Sequence, residues 1–279
     1  MRQYLLKLLI LAFFSIHTIP NNGYALETVE QENGLSSFEI MKRVEDRDDG
    51  DNVTFDYELV LIDRNNNRRI RRLKQFSKYF GIDRFAFIYI DYPGNLSRTS
   101  ILAYDYDDPD ADDEQWIYLP ALKKSKRIGS KDKTASFMGS DITYADLTER
   151  KVVNYHTRIV KPEVVVRGWK TWLIELIPKT QKEINRFGYT KSLAYVHKDT
   201  YLVVRSIQWL REGNRLKYFD LYEFDKIDGI WIQLDYSFTM RKGDNILHRT
   251  EAKLTNVKYN QGLDNNIFTV QQLKRGLPR

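Results

Sequence analysis

The sequence contains no cysteine among its 279 residues. This absence excludes disulfide bonds, cysteine nucleophiles, thiolate metal sites and the acylated cysteine that anchors bacterial lipoproteins. A chain without disulfides must be stabilised by its hydrophobic core, and a chain of this length can bury a core of sufficient size.

Histidine is scarce as well, with four residues in the chain. Three of them, His156, His197 and His248, lie beyond residue 25, far apart and without the spacing of a metal-binding or catalytic motif. The glycine-rich loops that bind nucleotides and the serine-centred turn of hydrolases are also missing. These absences predict a protein that is not an enzyme and that needs no cofactor and no metal ion.

Long apolar runs are confined to the N-terminus, where residues 8–16 are apolar except for Ser15. Arg2 and Lys7 precede this run, and Gly23 and Ala25 provide a small-x-small cleavage pattern. The run is shorter than the roughly 20 residues of a membrane-spanning helix, which disfavours an uncleaved anchor. We therefore predict a signal peptide at residues 1–25 and a single mature domain, residues 26–279, exported to the periplasm.

The net charge is +6, and the basic residues are interspersed with 38 acidic ones. Two basic clusters stand out, at residues 68–72 and 123–127. A nucleic-acid-binding surface would need these clusters on one face together with stacking aromatic residues, and export argues against it. We expect no nucleic-acid partner, and a weak attraction to anionic membranes instead.

The densest charge run begins at Asp105 and ends at Glu114. Alternate carboxylates could surround a cation such as calcium, but the central glycine and final glutamate of a calcium loop are not in register. A solvated acidic loop is therefore the favoured interpretation, and a cation-binding loop is the alternative.

One helix is predicted near the start of the mature chain. Ser36 and Glu39 have the spacing of a capping box, in which each side chain bonds the other residue's backbone amide. Phe38, Met41 and Val44 follow as an apolar stripe, and residues 48–50 end the helix. This amphipathic helix could be a movable lid or could be docked permanently on the core.

Most of the remaining chain predicts β-strands joined by short turns. Residues 230–241 alternate strictly between apolar and polar side chains, apart from Trp231, which is typical of a strand with one solvated face. Many such strands favour a curved antiparallel sheet, although a closed barrel filled with side chains is also compatible. A short helix is predicted at residues 140–147. The predicted strands cover residues 53–62, 68–80, 84–92, 100–106, 123–127, 164–177, 193–198, 201–212, 216–225, 230–241 and 246–259.

Three blocks of the sequence resemble one known family. They are RDDGDNV at residues 47–53, YDYDDPDADDEQWIYLPALKKSKRI at 104–128 and FMGSDITYADL at 137–147. The chain is similar to outer-membrane lipoprotein-sorting proteins, a group of LolA-like periplasmic carriers often associated with RND-type exporters. The resemblance implies a mainly β (α+β) fold: an antiparallel half-barrel of about 11 strands. The N-terminal helix and short mid-chain helices cover its concave side.

The same resemblance implies a cavity that binds an acyl chain of a lipid or lipoprotein, an RND-type transporter of the inner membrane as a partner, and a monomeric carrier that performs no chemistry. For the lid we expect Phe38, Met41 and Val44. For the cavity lining we expect the apolar faces of three strands, with plain core packing as the alternative for each residue: Val53, Phe55, Tyr57, Leu59, Trp172, Ile174, Leu176, Ile232, Leu234, Tyr236 and Phe238.

Two aromatic residues and one turn of the family blocks are considered separately. Trp116 and Tyr118 could contact a ligand or stabilise the sheet. In residues 137–141 we expect Gly139 to allow a bend and Ser140 or Asp141 to cap the following helix. Two other functions remain open: a periplasmic regulator that senses lipid, and an accessory subunit of an RND-type efflux complex that binds no ligand.

Overall fold

The computed structural model describes residues 31–32 and 34–278. The predicted signal peptide, residues 1–25, lies outside the described part of the chain. A two-residue strand pair, β1 (Gln31–Glu32) and β2 (Leu35–Ser36), leads into helix α1 (Ser37–Glu45). The predicted capping box is confirmed, because Ser36 N donates to Glu39 Oε2 at 2.7 Å and Glu39 N donates to Ser36 Oγ at 3.2 Å.

Thirteen strands form one antiparallel sheet with two free edges. The order across the sheet is β8-β7-β6-β5-β4-β3-β15-β14-β13-β12-β11-β10-β9. The strands are β3 (Asn52–Asp63), β4 (Arg68–Phe80), β5 (Asp83–Tyr92), β6 (Ser100–Asp105), β7 (Glu114–Leu119), β8 (Lys124–Arg127), β9 (Tyr155–Val166), β10 (Trp169–Pro178), β11 (Tyr189–His197), β12 (Val203–Leu210), β13 (Leu216–Ile227), β14 (Ile230–Lys242) and β15 (Asn245–Tyr259).

The chain builds this sheet in two meanders. From β3 each strand pairs with the next until β8 reaches one edge, and from β9 at the opposite edge the strands return until β15 pairs with β3. Residues 128–154, which we call the crossing segment, connect the two edges. They lie on the inner face of the sheet, where Phe137 and Ile142 contact a buried cluster that includes Leu59, Leu73 and Ile88.

The C-terminal residues cover the other face of β4–β7. A 3-10 turn (Asn265–Phe268) and helix α3 (Val270–Arg275) bury Phe87 and Leu102 on this outer face. Trp116 and Tyr118 pack against the same cluster, so both side chains contribute to core packing on the side away from the crossing segment. β5 and β6 are thus covered on both faces, whereas the alternating pattern of β14 indicated one solvated face.

The structure corrects the predicted strand count and boundaries. The sheet has 13 strands rather than about 11. Residues 164–177 are not one strand, because Arg167 and Gly168 adopt positive φ angles of 53° and 89° and form the turn between β9 and β10. With β8 and β9 left unpaired on one side, the sheet is open, which excludes the closed barrel.

The predicted helix at residues 140–147 is also wrong, since only Ala145–Leu147 forms a 3-10 turn. Gly139 does allow the bend, with φ at 78°. Asp141 does not cap a helix, because its Oδ2 accepts hydrogen bonds from two residues of β15. The donors are Thr250 Oγ1 at 2.8 Å and His248 Nδ1 at the same distance. The bonds to β15 hold this stretch in an extended turn.

A helix that we did not predict, α2 (Gln181–Phe187), connects β10 to β11. Its signals were present in the sequence: the Thr180 side chain accepts from Glu183 N, and Gly188 ends the helix in the left-handed region with φ at 80°.

Candidate functional site

A cavity of about 370 Å³ lies between the inner face of β10–β14 and a roof made by α1 and the crossing segment. Its volume is within the range of small-molecule sites, about 300–1,000 Å³. The apolar part of its lining consists of Met41, Val44, Val152, Tyr155, Leu176, Phe187, Ala194, Tyr201, Val203, Phe219 and Phe238. The polar part consists of Glu45, Arg47, Asp49, Asp146, Thr148, Glu149, Arg150, Ser192, Ser206, Gln208 and Gln233.

The cavity exists because small side chains occupy the middle of its floor. Ser192, Ala194 and Ser206 lie on the inner face of β11 and β12, and Ala194 is paired with Ser206 across the two strands. On the neighbouring strands the opposite positions carry larger residues, such as Phe219 beside Ser206. The roof cannot descend into this gap, since α1 rests on bulkier side chains nearer the sheet edge.

Helix α1 is attached to the sheet through one fully buried residue. Ile40 is 0% exposed and packs against Ile159, Ile174 and Val196. Beside it, the hydroxyl oxygens of Ser37 and Thr157 lie 2.9 Å apart.

At its other end α1 is bonded to the crossing segment and to the loop between β11 and β12. Glu45 Oε2 accepts a hydrogen bond from Val152 N at 2.7 Å, which links α1 to the crossing segment. Arg43 Nη1 donates to the Tyr201 hydroxyl at 2.7 Å. These contacts lie mostly on one side of the helix, the side that faces the sheet and the crossing segment.

The predicted lid stripe is only partly on the face that meets the cavity. Met41 and Val44 line it, whereas Phe38 is 41% exposed. The reason is helical geometry: at 100° per residue, positions 37, 40, 41 and 44 share a face, and position 38 lies outside it. The sequence analysis did not single out Ile40, which is the anchor of that face.

A buried ion pair holds the crossing segment above the cavity. Lys217 Nζ of β13 lies 2.5 Å from Asp146 Oδ2 and donates to the Tyr189 hydroxyl at 2.8 Å. The Tyr189 hydroxyl in turn donates to Asp146 Oδ1 at 2.8 Å. Burial alone would raise the pKa of Asp146, but the Lys217 ammonium outweighs it and the pKa is lowered.

A second carboxylate supports the roof from the side of the acidic loop. Asp105 Oδ2 accepts a hydrogen bond from Glu149 N at 2.8 Å, while its Oδ1 is buried without a partner. Burial, together with the negative charges of Asp113 and Glu149, raises the pKa of Asp105 to about 7. The protonation state of Asp105 therefore changes near neutral pH, directly beneath residues that line the cavity.

The acidic loop itself is bound to basic side chains of the protein. Asp113 is buried and bonded to Arg186, Asp107 pairs with Lys151 at 3.0 Å, and Lys182 Nζ donates to the Asp110 carbonyl at 3.0 Å. Over residues 31–32 and 34–278 no group of three histidine, aspartate or glutamate side chains is placed to hold a metal ion.

Of the eleven residues that we expected to line the cavity, Leu176 and Phe238 do so. Trp172 and Ile174 pack beneath α1 around Ile40, and Val53 belongs to a small cluster with Ile230 and Tyr259. The others pack around the cluster under the crossing segment: Phe55, Tyr57, Leu59, Ile232, Leu234 and Tyr236. In that cluster the hydroxyls of Tyr57 and Tyr236 lie 2.8 Å apart.

The sequence analysis missed the small residues of the floor, and it missed Phe219 and Gln208. The sequence contains a signal for this floor. Ser192 and Ala194 are two residues apart and lie on one face of β11, and Ser206 and Gln208 are related in the same way on β12. Where neighbouring strands carry small or polar residues at their inward positions, the side chains do not fill the space above the sheet.

No helix in the described ranges, 31–32 and 34–278, has both the length and the apolar character needed to cross a bilayer.

The open antiparallel sheet, with a helix and a crossing segment over its inner face, is the architecture of LolA-like lipoprotein-sorting proteins, and the resemblance seen in the sequence is confirmed. A family model described as "uncharacterized protein" matches residues 83–275, more than half of the sequence. The chain belongs to that family, DUF1329.

Solved structures extend the comparison beyond the family model. A DUF1329 family protein from Desulfovibrio piger is 27% identical, with a TM-score of 0.77 over 85% of this chain and 97% of that one. A putative outer membrane lipoprotein-sorting protein domain from Vibrio parahaemolyticus is 26% identical, with a TM-score of 0.76 over 86% and 98%. A LolA superfamily protein from Nitrosomonas europaea shares the fold, with 15% identity and a TM-score of 0.62 over 85% and 99%. A search of curated proteins gives no significant match.

Proposed function

We propose that the protein is a periplasmic carrier that binds one acyl chain of a lipid or lipoprotein in the cavity beneath α1. It acts as a monomer, passes the cargo between membranes or to and from an RND-type exporter, and leaves it chemically unchanged. The observation that carries this proposal is the cavity of about 370 Å³, with Phe219, Phe238 and Leu176 in its floor and walls and Met41 and Val44 in its roof.

The energetics of such a site suit a carrier. Each methylene group transferred from water to an apolar site contributes about 0.8 kcal/mol, so a chain that is only partly inserted already binds usefully. Two lining residues, Met41 and Phe219, present polarizable or aromatic surface that adapts to chains of different length. Transfer to an acceptor requires that the cavity open, and the few contacts of α1 make this helix the part that moves.

The comparisons support the proposal at the level of the class. The structure from Vibrio parahaemolyticus is described as a putative outer membrane lipoprotein-sorting protein domain, and it matches this chain over most of both lengths. A role at the outer membrane is consistent with the export predicted from residues 1–25.

The first experiment asks what the protein carries. The mature chain is purified without detergent from the periplasm of a Gram-negative host and examined by native mass spectrometry, followed by solvent extraction. We expect a bound lipid that is released on denaturation. A cavity that stays empty, and that takes up no fatty acid added afterwards, contradicts the carrier and favours an accessory subunit of an efflux complex.

The second experiment tests the lid. The chain has no cysteine of its own, so the one intramolecular disulfide open to the double variant Ser37→Cys/Thr157→Cys is the bond that joins α1 to β9. We expect the oxidised protein to exchange a fluorescent fatty acid far more slowly than the reduced protein. Each single cysteine variant is the matched control and should exchange at the normal rate in both redox states. Equal rates in the oxidised and reduced double variant would contradict the role of α1.

A further inference from the structure

One region of the cavity wall brings three polar side chains together. Ser192 and Gln208 are opposite each other in the register of β11 and β12. Above them Arg150, from the crossing segment, donates from Nη1 to Ser192 Oγ at 3.4 Å. All three side chains line the cavity.

The charges around the cavity are not balanced internally. Each carboxylate in the lining has a cationic partner, whereas neither arginine of the lining, Arg47 or Arg150, forms an ion pair with any residue in the described part of the chain. Arg47 Nη1 instead donates to the Trp231 carbonyl at 2.8 Å. The carboxylate pairs are Glu45 with Lys42 at 2.9 Å, Asp49 with Arg84 at 3.5 Å, Asp146 with Lys217 at 2.5 Å and Glu149 with Lys151 at 3.6 Å. The guanidinium of Arg150 lies over the Tyr189 ring at 5.5 Å and attracts the carboxylate of Glu183 electrostatically, but it forms no direct ion pair that would occupy its donors.

Gln208 adds an unpartnered oxygen atom at the same place. Its side chain is 5% exposed, and its Oε1 atom is buried with no hydrogen-bond partner. A buried amide oxygen left without a partner is unfavourable, and a ligand or an ordered water would complete its bonding. Since the amide can be turned to present either its oxygen or its NH₂ group, it can donate to a ligand oxygen.

We propose that the cavity binds a single-chain lipid with an anionic head group, a carboxylate or a phosphate, held by Arg150 together with Ser192 and Gln208. The inference rests on the proposed carrier function and deepens it. The chain extends from this end of the cavity towards Phe219 and Phe238, which lie in the register positions next to the row of Gln208. Arginine suits this role because its planar donor fork matches the oxygens of either anion.

The test compares ligands that share one twelve-carbon chain and differ in head-group charge. Dodecanoate, dodecyl phosphate and methyl dodecanoate are titrated into the delipidated mature protein at about pH 8, where the first two are charged. We expect at least one of the two anions to bind about tenfold or more tightly than the neutral ester. The anion that binds more tightly identifies the head group as a carboxylate or a phosphate.

Two variants locate the preference. Arg150→Gln should abolish the preference for the anion and leave the affinity for methyl dodecanoate unchanged, while Gln208→Leu should weaken anion binding several-fold. Arg211→Gln is the control, because Arg211 is at the surface and paired with Glu212. Circular dichroism verifies that each variant is folded.

The outcomes separate the two proposals. If all three ligands bind equally well, or if Arg150→Gln retains the preference, the head-group inference is wrong while the carrier function stands. If no ligand of this series binds the delipidated protein, both the inference and the carrier function are overturned.

Discussion

Lys217 and Asp146 form a buried ion pair, with Nζ and Oδ2 2.5 Å apart, between a central strand and the segment that crosses the inner face. The two residues are distant in sequence, and their contact fixes where the 3-10 turn Ala145–Leu147 rests on β13. Because the pair holds the crossing segment above the cavity, the stability of the fold and the shape of the cavity depend on the same contact.

Removing one partner of this pair should be costly. Lys217→Met leaves the carboxylate of Asp146 buried and uncompensated, and we expect the free energy of unfolding at neutral pH to fall by about 3–5 kcal/mol. Urea denaturation measures this change. Arg68→Met is the control, since Arg68 and Glu251 form an exposed pair at 2.9 Å whose loss should cost about 1 kcal/mol or less. Equal effects of the two substitutions would show that the Lys217 pair does not stabilise the fold.

Asp105 should make the protein less stable as the pH rises. Its pKa is raised to about 7 in the folded state, above the roughly 3.9 of an unfolded chain, so folding favours the protonated acid. The favourable contribution is complete below the unfolded value and is lost as the pH rises through 7.

Asp105→Asn keeps an acceptor for Glu149 N and carries no charge. We therefore expect this variant to be more stable than the parent at about pH 8, by up to about 4 kcal/mol, and similar to it near pH 4. Thermal unfolding at both values provides the measurement. Asp108→Asn, in the exposed part of the same loop, should not change the shape of the profile. A parent protein with a flat profile between these values would refute the prediction.

Filling the floor of the cavity should block the ligand without harming the fold. Ser206→Leu places a larger side chain beside Phe219, where the cavity has room for it, and we expect fatty-acid affinity to fall by at least tenfold. Ser206→Ala preserves the volume and should bind normally. The measurement is a fluorescent fatty-acid titration. Normal binding by Ser206→Leu would place the ligand elsewhere.

The anchoring of α1 can be tested with two residues of the same helix. Ile40→Ala removes a fully buried side chain and should lower stability by about 2–5 kcal/mol and speed the release of ligand. Phe38→Ala changes a side chain that is 41% exposed, and should alter both quantities little. Unfolding and stopped-flow release measure the two effects. The reverse ranking would support the stripe predicted from the sequence.

The parts that were predicted correctly depend on local chemistry. Ser36 and Glu39 identify the start of α1, because a capping box involves residues three apart. Alternation in β14 correctly indicates a strand, because side-chain direction in a strand repeats every two residues. The turn at Gly139 was found for a similar reason, since its left-handed backbone favours glycine.

The parts that were missed depend on contacts between distant segments. Asp141 has the character of a helix cap, but His248 and Thr250 of β15 compete for its carboxylate and prevent the helix. Tyr57 and Tyr236 have the pattern of cavity residues, yet the crossing segment covers their part of the inner face. Which part of a sheet is covered and which part stays open is decided by the route of residues 128–154, and local periodicity does not contain that route.

The pairing of β15 with β3 has a consequence for how the protein reaches its folded state. Each meander can form from neighbouring hairpins, but the two can join only when the final strand meets the first, as in the pairing of His248 with Asp63. Contacts of such long range form slowly, since a large loop must close before they are gained. During synthesis the complete sheet therefore cannot assemble until the C-terminal strand is available.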